Sequence, residues 1–192
     1  MRVPVIRLSW TQPDEFVGSW SEFYEDPREE HYVNNIDMPL TPERVRNLYL
    51  WKSGGRLWKP QCRGLEQNVI GRLRELGKLD KDYPPLDFLL RFARGGMIWR
   101  IFLLHIWQSR KYPIYDQHTY RAMRFLQHLQ VEEIPSNPRL IAQTYVNDYI
   151  PFFNRFPRMP DRRVDKALFA FGKFLKTPLG QRIATADGRQ GS

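Results

Sequence analysis

A single cysteine, Cys62, in 192 residues excludes an internal disulfide and any zinc or iron–sulfur site built on four cysteines. That scarcity fits the reducing cytoplasm, the expected location of the chain. Long apolar runs are lacking too. The greasiest stretch, Phe88 to Trp107, is interrupted by Arg91, Arg94, Arg100, His105 and the pair Gly95-Gly96. Charge at a bilayer centre is costly, so core helices are expected there and no membrane span. No N-terminal run has the basic, apolar, small-residue order of a signal peptide. There is no P-loop or dinucleotide fingerprint, and Ser19, Ser53 and Ser109 lack a nucleophile-elbow context. His31, His105, His118 and His128 are not spaced as metal ligands, so neither metal nor cofactor is expected.

Acidic residues are scarce in one long window. Between Phe88 and Val131 the only acid is Asp116, against seven bases: Arg91, Arg94, Arg100, Arg110, Lys111, Arg121 and Arg124. The net charge is +9, and it is unevenly spread. Residues 11–43 hold nine acids and one base, Arg28, whereas the chain from Arg44 onward holds 27 bases and 12 acids. A field of that sign attracts phosphate backbones and steers their association, so DNA or RNA is the expected partner, with a basic surface that is merely solvated as the alternative.

What is present is mostly helical signal. The 42% apolar and 14% aromatic content supports a packed core without staples. Val3 to Trp10 reads as a short strand or extended arm, and residues 11–40 as irregular, with a short helix near Ser19 to Tyr24. Phe16, Trp20, Phe23 and Tyr24 are expected to pin this acidic arm to the body. Thr41-Pro42-Glu43 starts a helix with Thr as N-cap and Pro at its first position, placing Val45, Leu48 and Trp51 inward, and Ser53-Gly54-Gly55 ends it. Leu65, Val69, Leu73 and Leu76 form one stripe over residues 62–77, closed by Gly77.

Pro84-Pro85 opens a helix stopped at Gly95-Gly96, and Met97 to Trp107 reads as a helix surrounded on all sides. An amphipathic helix follows Asp116, with Ala122, Phe125, Leu126 and Leu129 inward. Leu140 to Phe153 is a helix bent near Pro151, and Asp161 is placed to cap a last helix before Pro178. The expectation is an all-α fold of about seven helices with an irregular N-terminal arm. Its organisation is an acidic arm over residues 1–40, a helical domain over 41–178 and a frayed tail over 179–192.

Asp116 precedes a helix and is placed to cap it, accepting from His118 or Thr119. The same geometry can stabilise positive charge on a sugar or orient a water. His118, two residues on, reads either as a partner in that site or as a solvated first-turn histidine. His105 reads as a satisfied core histidine. Tyr112 and Tyr115, or Trp51 and Trp58 beside the Ser-Gly-Gly turn, can stack on a base or belong to the core. Gly95-Gly96 is either a plain helix end or a turn whose amides meet a phosphate.

The order FARGG, then IFLLHIW, then YPIYDQHTYRAM resembles the hairpin–helix–aspartate segment of the helix-hairpin-helix DNA glycosylase superfamily. It is most similar to the divergent oxoguanine-glycosylase-like branch, in which an LLHF-type helix leads into FPIYDS. The later VDKALFAFGK is similar to the C-terminal helix of those proteins, and the likeness spans roughly Pro85 to Lys176. The resemblance implies a base-flipping enzyme that cleaves an N-glycosidic bond, with Asp116 as the catalytic carboxylate and Gly95-Gly96 as the hairpin turn. Around these, His118 becomes the second catalytic candidate, Arg94, Arg100, Arg110, Lys111, Arg121 and Arg124 the phosphate contacts, and Tyr112 and Tyr115 the stacking rings.

The chain departs from that pattern in three places. No lysine occurs between Lys81 and Lys111, which excludes the Schiff-base lyase chemistry of bifunctional members. The hairpin reads RGGM in place of a Pro-Gly-x-Gly turn, and the C-terminal cysteines of some relatives are missing. A monofunctional DNA N-glycosylase-like enzyme is therefore the first expectation. The alternatives are a related nucleic-acid-binding module without chemistry and a helical protein-interaction adaptor.

Overall fold

The structure is a computed structural model that describes Ser9 and residues 11–188. The extended segment expected over Val3–Trp10 lies outside the described residues apart from Ser9, as do the last four residues of the expected tail. The fold is all-helical, with no strand among the described residues. The helices of the first half are α1 (Pro13–Ser21), α2 (Glu29–Val33), α3 (Pro42–Lys52), α4 (Lys59–Asn68), α5 (Leu73–Leu76) and α6 (Pro85–Asp87). Those of the second half are α7 (Met97–Trp107), α8 (Gln117–His128), α9 (Pro138–Thr144), α10 (Ile150–Phe153), α11 (Arg163–Leu175) and α12 (Pro178–Gly188).

The chain divides into two compact units. The first holds residues up to Glu25, then Tyr115–Ser136 and everything from Asn147 onward. Here α11 lies against α1 and α8. The expected aromatic pinning is present: Phe16 and Trp20 meet the Phe171 ring at centroid distances of 5.4 and 4.8 Å, and Tyr24 meets Phe169 at 5.6 Å. Phe23 is the exception and stays 72% exposed. The helix carrying Phe16 and Trp20 begins earlier than expected, because extended Gln12 is followed by Pro13 at the first helical position.

The second unit holds Asp26–Ile114 and Asn137–Val146. Its core is α7, where Ile101 to Ile106 are all buried, together with Val45, Leu48 and Tyr49 of α3. Each such apolar side chain contributes about 1.5–3 kcal/mol when fully buried. His105 is the satisfied core histidine expected: Nδ1 donates to the Tyr112 carbonyl at 2.6 Å, so Nε2 accepts from the Tyr32 hydroxyl at 2.7 Å.

Several expected helices are broken, which raises their number above seven. The 62–77 stripe splits into α4, a 3₁₀ turn at Ile70–Arg72 and α5, with Val69 between them distorted from ideal helical geometry at φ −118°, ψ −64°. Leu65, Val69 and Leu76 are buried as expected, while Leu73 is only half-buried. A widened π-type turn at Tyr145–Tyr149 comes just before Pro151, whose missing N–H cannot close a regular turn.

Asp161 does not cap α11. Both Asp161 and Arg162 have φ +56°, and Arg162 takes the cap position without a side-chain bond. Residues 178–188 form α12, where fraying was expected from residue 179.

Candidate functional site

The Gly-Gly turn belongs to the second unit. A π-type turn over Phe88–Phe92 follows α6 and ends at extended Ala93, whose N–H donates to the Phe88 carbonyl at 2.8 Å. The helix therefore reaches its C-cap at Ala93, two residues before Gly95, and Gly95 is not its capping glycine. Gly95 has φ +92°, which L side chains avoid, whereas Gly96 is extended at φ −65° and leads directly into α7. Arg94, Gly95 and Gly96 are all exposed, and a Cβ built on either glycine meets nothing within 4 Å.

Backbone strain and not space therefore fixes the glycine requirement. Gly95→Ala should cost about 1–2 kcal/mol and Gly96→Ala close to nothing, as urea unfolding of the two variants would show.

Arg100 was expected to meet phosphate, but it is turned back on its own hairpin. Its Nε donates to the Gly95 carbonyl at 2.7 Å and an Nη to the Leu89 carbonyl at 2.9 Å. Burial, with Arg94 nearby, pulls its pKa down. Arg110 and Lys111 are exposed and line an open cavity of about 560 Å³ with Lys81, Asp37 and Trp107. Lys111 also lies 3.6 Å from Asp82.

The two tyrosines do not suit base stacking. Tyr112 in the second unit and Tyr115 in the first are 2% and 1% exposed, so neither ring offers a face to a ligand. They follow the apolar logic of the chain around Pro113 and Ile114 and join the cores.

Asp116 caps α8 in the first unit. It is extended at φ −158°, ψ −173°, and its Oδ1 accepts from the amides of His118 at 2.8 Å and Thr119 at 3.1 Å. Thr119 returns the bond, its hydroxyl accepting from the Asp116 N–H at 2.9 Å. This reciprocal box fixes a half-buried carboxylate at the positive end of a helix.

His118 packs edge-on against Phe169 at 4.8 Å, and Arg121 donates to its Nδ1 at 3.3 Å. Burial lowers the His118 pKa, with Arg121 and Lys176 acting the same way and Asp116 and a Gly172 hydrogen bond opposing. The fold thus favours the neutral ring, and the unfolded chain, near its ordinary value of 6.5, takes up the proton first as pH falls. His118 contributes its full stabilisation above that value and loses it below, down to the folded pKa. The melting temperature should accordingly fall less on acidification from about pH 7.5 to 5.5 in His118→Gln than in the wild type. Parallel falls would remove His118 as the cause.

Arg121 and Arg124 were expected on phosphate, and the structure places both on internal partners. Arg121 is 0% exposed and donates to the Gly172 carbonyl at 3.0 Å and to Glu133 at 2.6 Å. Arg124 makes a two-pronged pair with Glu132, at 2.9 and 2.8 Å. The acids that neutralise them are the first to follow Asp116 in the chain, the only sequence signal that pointed to this pairing. Gly172 was missed altogether. It brings α11 so close to α8 that a Cβ there would lie 1.9 Å from the His118 carbonyl oxygen.

The residues that come together around Asp116 are thus His118, Thr119, Arg121, Phe169 and Gly172, all in the first unit. Gly95, Gly96, Arg94, Arg100, Arg110 and Lys111 belong to the second. Among the described residues no three His, Cys, Asp or Glu side chains are placed to hold a metal ion, and no helix is long and apolar enough to cross a membrane. No family model matches the chain, and no curated protein or solved structure matches it significantly.

Proposed function

We propose that the chain acts on nucleic acid as a monofunctional N-glycosidase with Asp116 as its catalytic carboxylate. The observation that carries this reading is the Asp116 carboxylate itself. It is half-buried, held through Oδ1 by two amides of its own helix, and next to a histidine whose pKa burial lowers. A carboxylate fixed in this way can stabilise the positive charge that develops on a sugar as its base departs, or align the water that replaces the base. The sequence supports hydrolysis over lyase chemistry, since no lysine amine is available between Lys81 and Lys111 to form a Schiff base. The exposed Gly95-Gly96 turn supports backbone binding, because the open space around both glycines lets a phosphate approach their amides.

The test is a base-release screen with single- and double-stranded oligonucleotides carrying modified bases. The expected product is an abasic site that breaks only after alkali. Strand cleavage before alkali would contradict the monofunctional reading, and absence of any released base would remove the enzyme.

A binding module without chemistry is the second reading. It is favoured by the burial of Tyr115 and the internal pairing of Arg121 and Arg124, which leave fewer groups of the first unit to hold a base near Asp116. Salt-sensitive binding with no base release would select it. An adaptor that binds proteins through its acidic arm would instead show negligible nucleic-acid binding at moderate salt.

A further inference from the structure

Of the two tryptophans that flank the Ser53–Gly55 turn, the fold uses one and leaves the other. Trp51 is 7% exposed and packs on Tyr32, whereas Trp58 is 57% exposed. A lone exposed aromatic is ordinary at a protein surface; this one is set apart by the cation against its ring and by the bases around it in the chain. The backbone at Trp58 is fixed nonetheless: its N–H donates to Gln61 Oε1 at 2.8 Å, which sets the entry into α4. Arg56 lies against the indole, its guanidinium carbon 3.9 Å from the ring centroid.

The stretch of chain around Trp58 carries one sign of charge. Residues 44–65 contain six bases (Arg44, Arg46, Lys52, Arg56, Lys59 and Arg63) and no acid. Arg46 is held by Glu66 at 2.7 and 2.9 Å. Arg56, Lys59 and Arg63 are exposed and make no ion pair among the described residues. Lys59 and Arg63 are four residues apart, hence on one face of α4.

We infer that Trp58, Arg56, Lys59 and Arg63 form a stacking platform for single-stranded nucleic acid. The indole meets the face of an unpaired base, Arg56 supports the stack, and Lys59 and Arg63 meet the phosphates that follow. A duplex hides its base faces, so the platform prefers single strands. This surface belongs to the second unit and Asp116 to the first, and it needs none of the proposed chemistry. An inactive enzyme with an intact platform, or the reverse, would separate the two readings.

The test is fluorescence anisotropy of the full chain with a labelled oligothymidylate of about ten nucleotides, inside the roughly 4–16-nucleotide footprint of single-strand-binding domains. Trp58→Ala should weaken binding about tenfold with an unchanged salt slope, and Trp58→Phe should stay close to wild type. Lys59→Gln with Arg63→Gln should lower the salt slope by about 1.4, roughly 0.7 per phosphate contact on a single strand. Melting curves should be unaltered in all three, since the side chains are exposed.

The exposed thiol of Cys62, on α4 four residues from Trp58, supplies an independent readout. A bound oligothymidylate should slow its alkylation by iodoacetamide several-fold, and Trp58→Ala should abolish that protection at the same oligonucleotide concentration. Binding of Trp58→Ala as tight as wild type, unprotected Cys62, or equal affinity for heparin would each overturn the platform and leave only diffuse charge.

Discussion

Asp116→Asn is expected to fold as the wild type, to bind nucleic acid as the wild type, and to release base at least about 10²–10³-fold more slowly. The prediction rests on what an asparagine keeps and what it loses. Asn is as good an N-cap as Asp, so its side-chain oxygen can still accept from the amides of His118 and Thr119. Thr119 still accepts from the backbone N–H of residue 116. What disappears is the negative charge, and with it the stabilisation of a cationic sugar. Asp116→Ala supplies the contrast, since it loses the cap as well and should cost about 1 kcal/mol of stability. Base release measured in single turnovers, beside anisotropy and thermal melting, separates cap from catalyst. An Asp116→Asn variant with full activity would leave Asp116 as a cap alone.

Among the described glycines, Gly172→Ala is expected to be the most damaging substitution by a single methyl. The added Cβ would lie 1.9 Å from the His118 carbonyl oxygen and 2.6 Å from its carbon, both backbone atoms of α8. Backbone cannot rotate aside as a side-chain tip can, so α8 and α11 must separate. Overpacking of this kind costs about 1–3 kcal/mol and occasionally more, which for a chain of this length lowers the melting temperature by roughly 2–12 °C. The same separation would loosen the bond from Arg121 to the Gly172 carbonyl and the packing of His118 on Phe169. Any base release should therefore fall in Gly172→Ala even below its melting transition. A melting curve superimposable on wild type would show that α11 can yield at this point.

The sequence by itself determined the features that rest on local chemistry. Helical periodicity and punctuation sufficed for an all-helical chain, for Thr41 and Asp116 as caps, and for Met97–Trp107 as a helix between fixed ends. These depend on residues within one or two turns of each other, so the pattern carries them. Where an end depended on backbone geometry, as at Asp161 and Gly95, the same signals misplaced it by one or two residues.

Only the tertiary structure decided which side chains are open. Arg121 and Arg124 read as phosphate contacts, yet internal partners claim both: a Gly172 carbonyl from another helix, and Glu132 and Glu133 beyond the end of their own. Trp51 and Trp58 flank one turn and differ because α2 covers the first while nothing among the described residues covers the second to the same degree. Gly172 carried no signal, since the need for a missing Cβ arises from a carbonyl fifty-four residues away. Periodicity names the inward face of a helix; it does not name what that face will meet. That depends on how helices distant in sequence pack, and in this chain it separates charges that are spent internally from those still available to a partner.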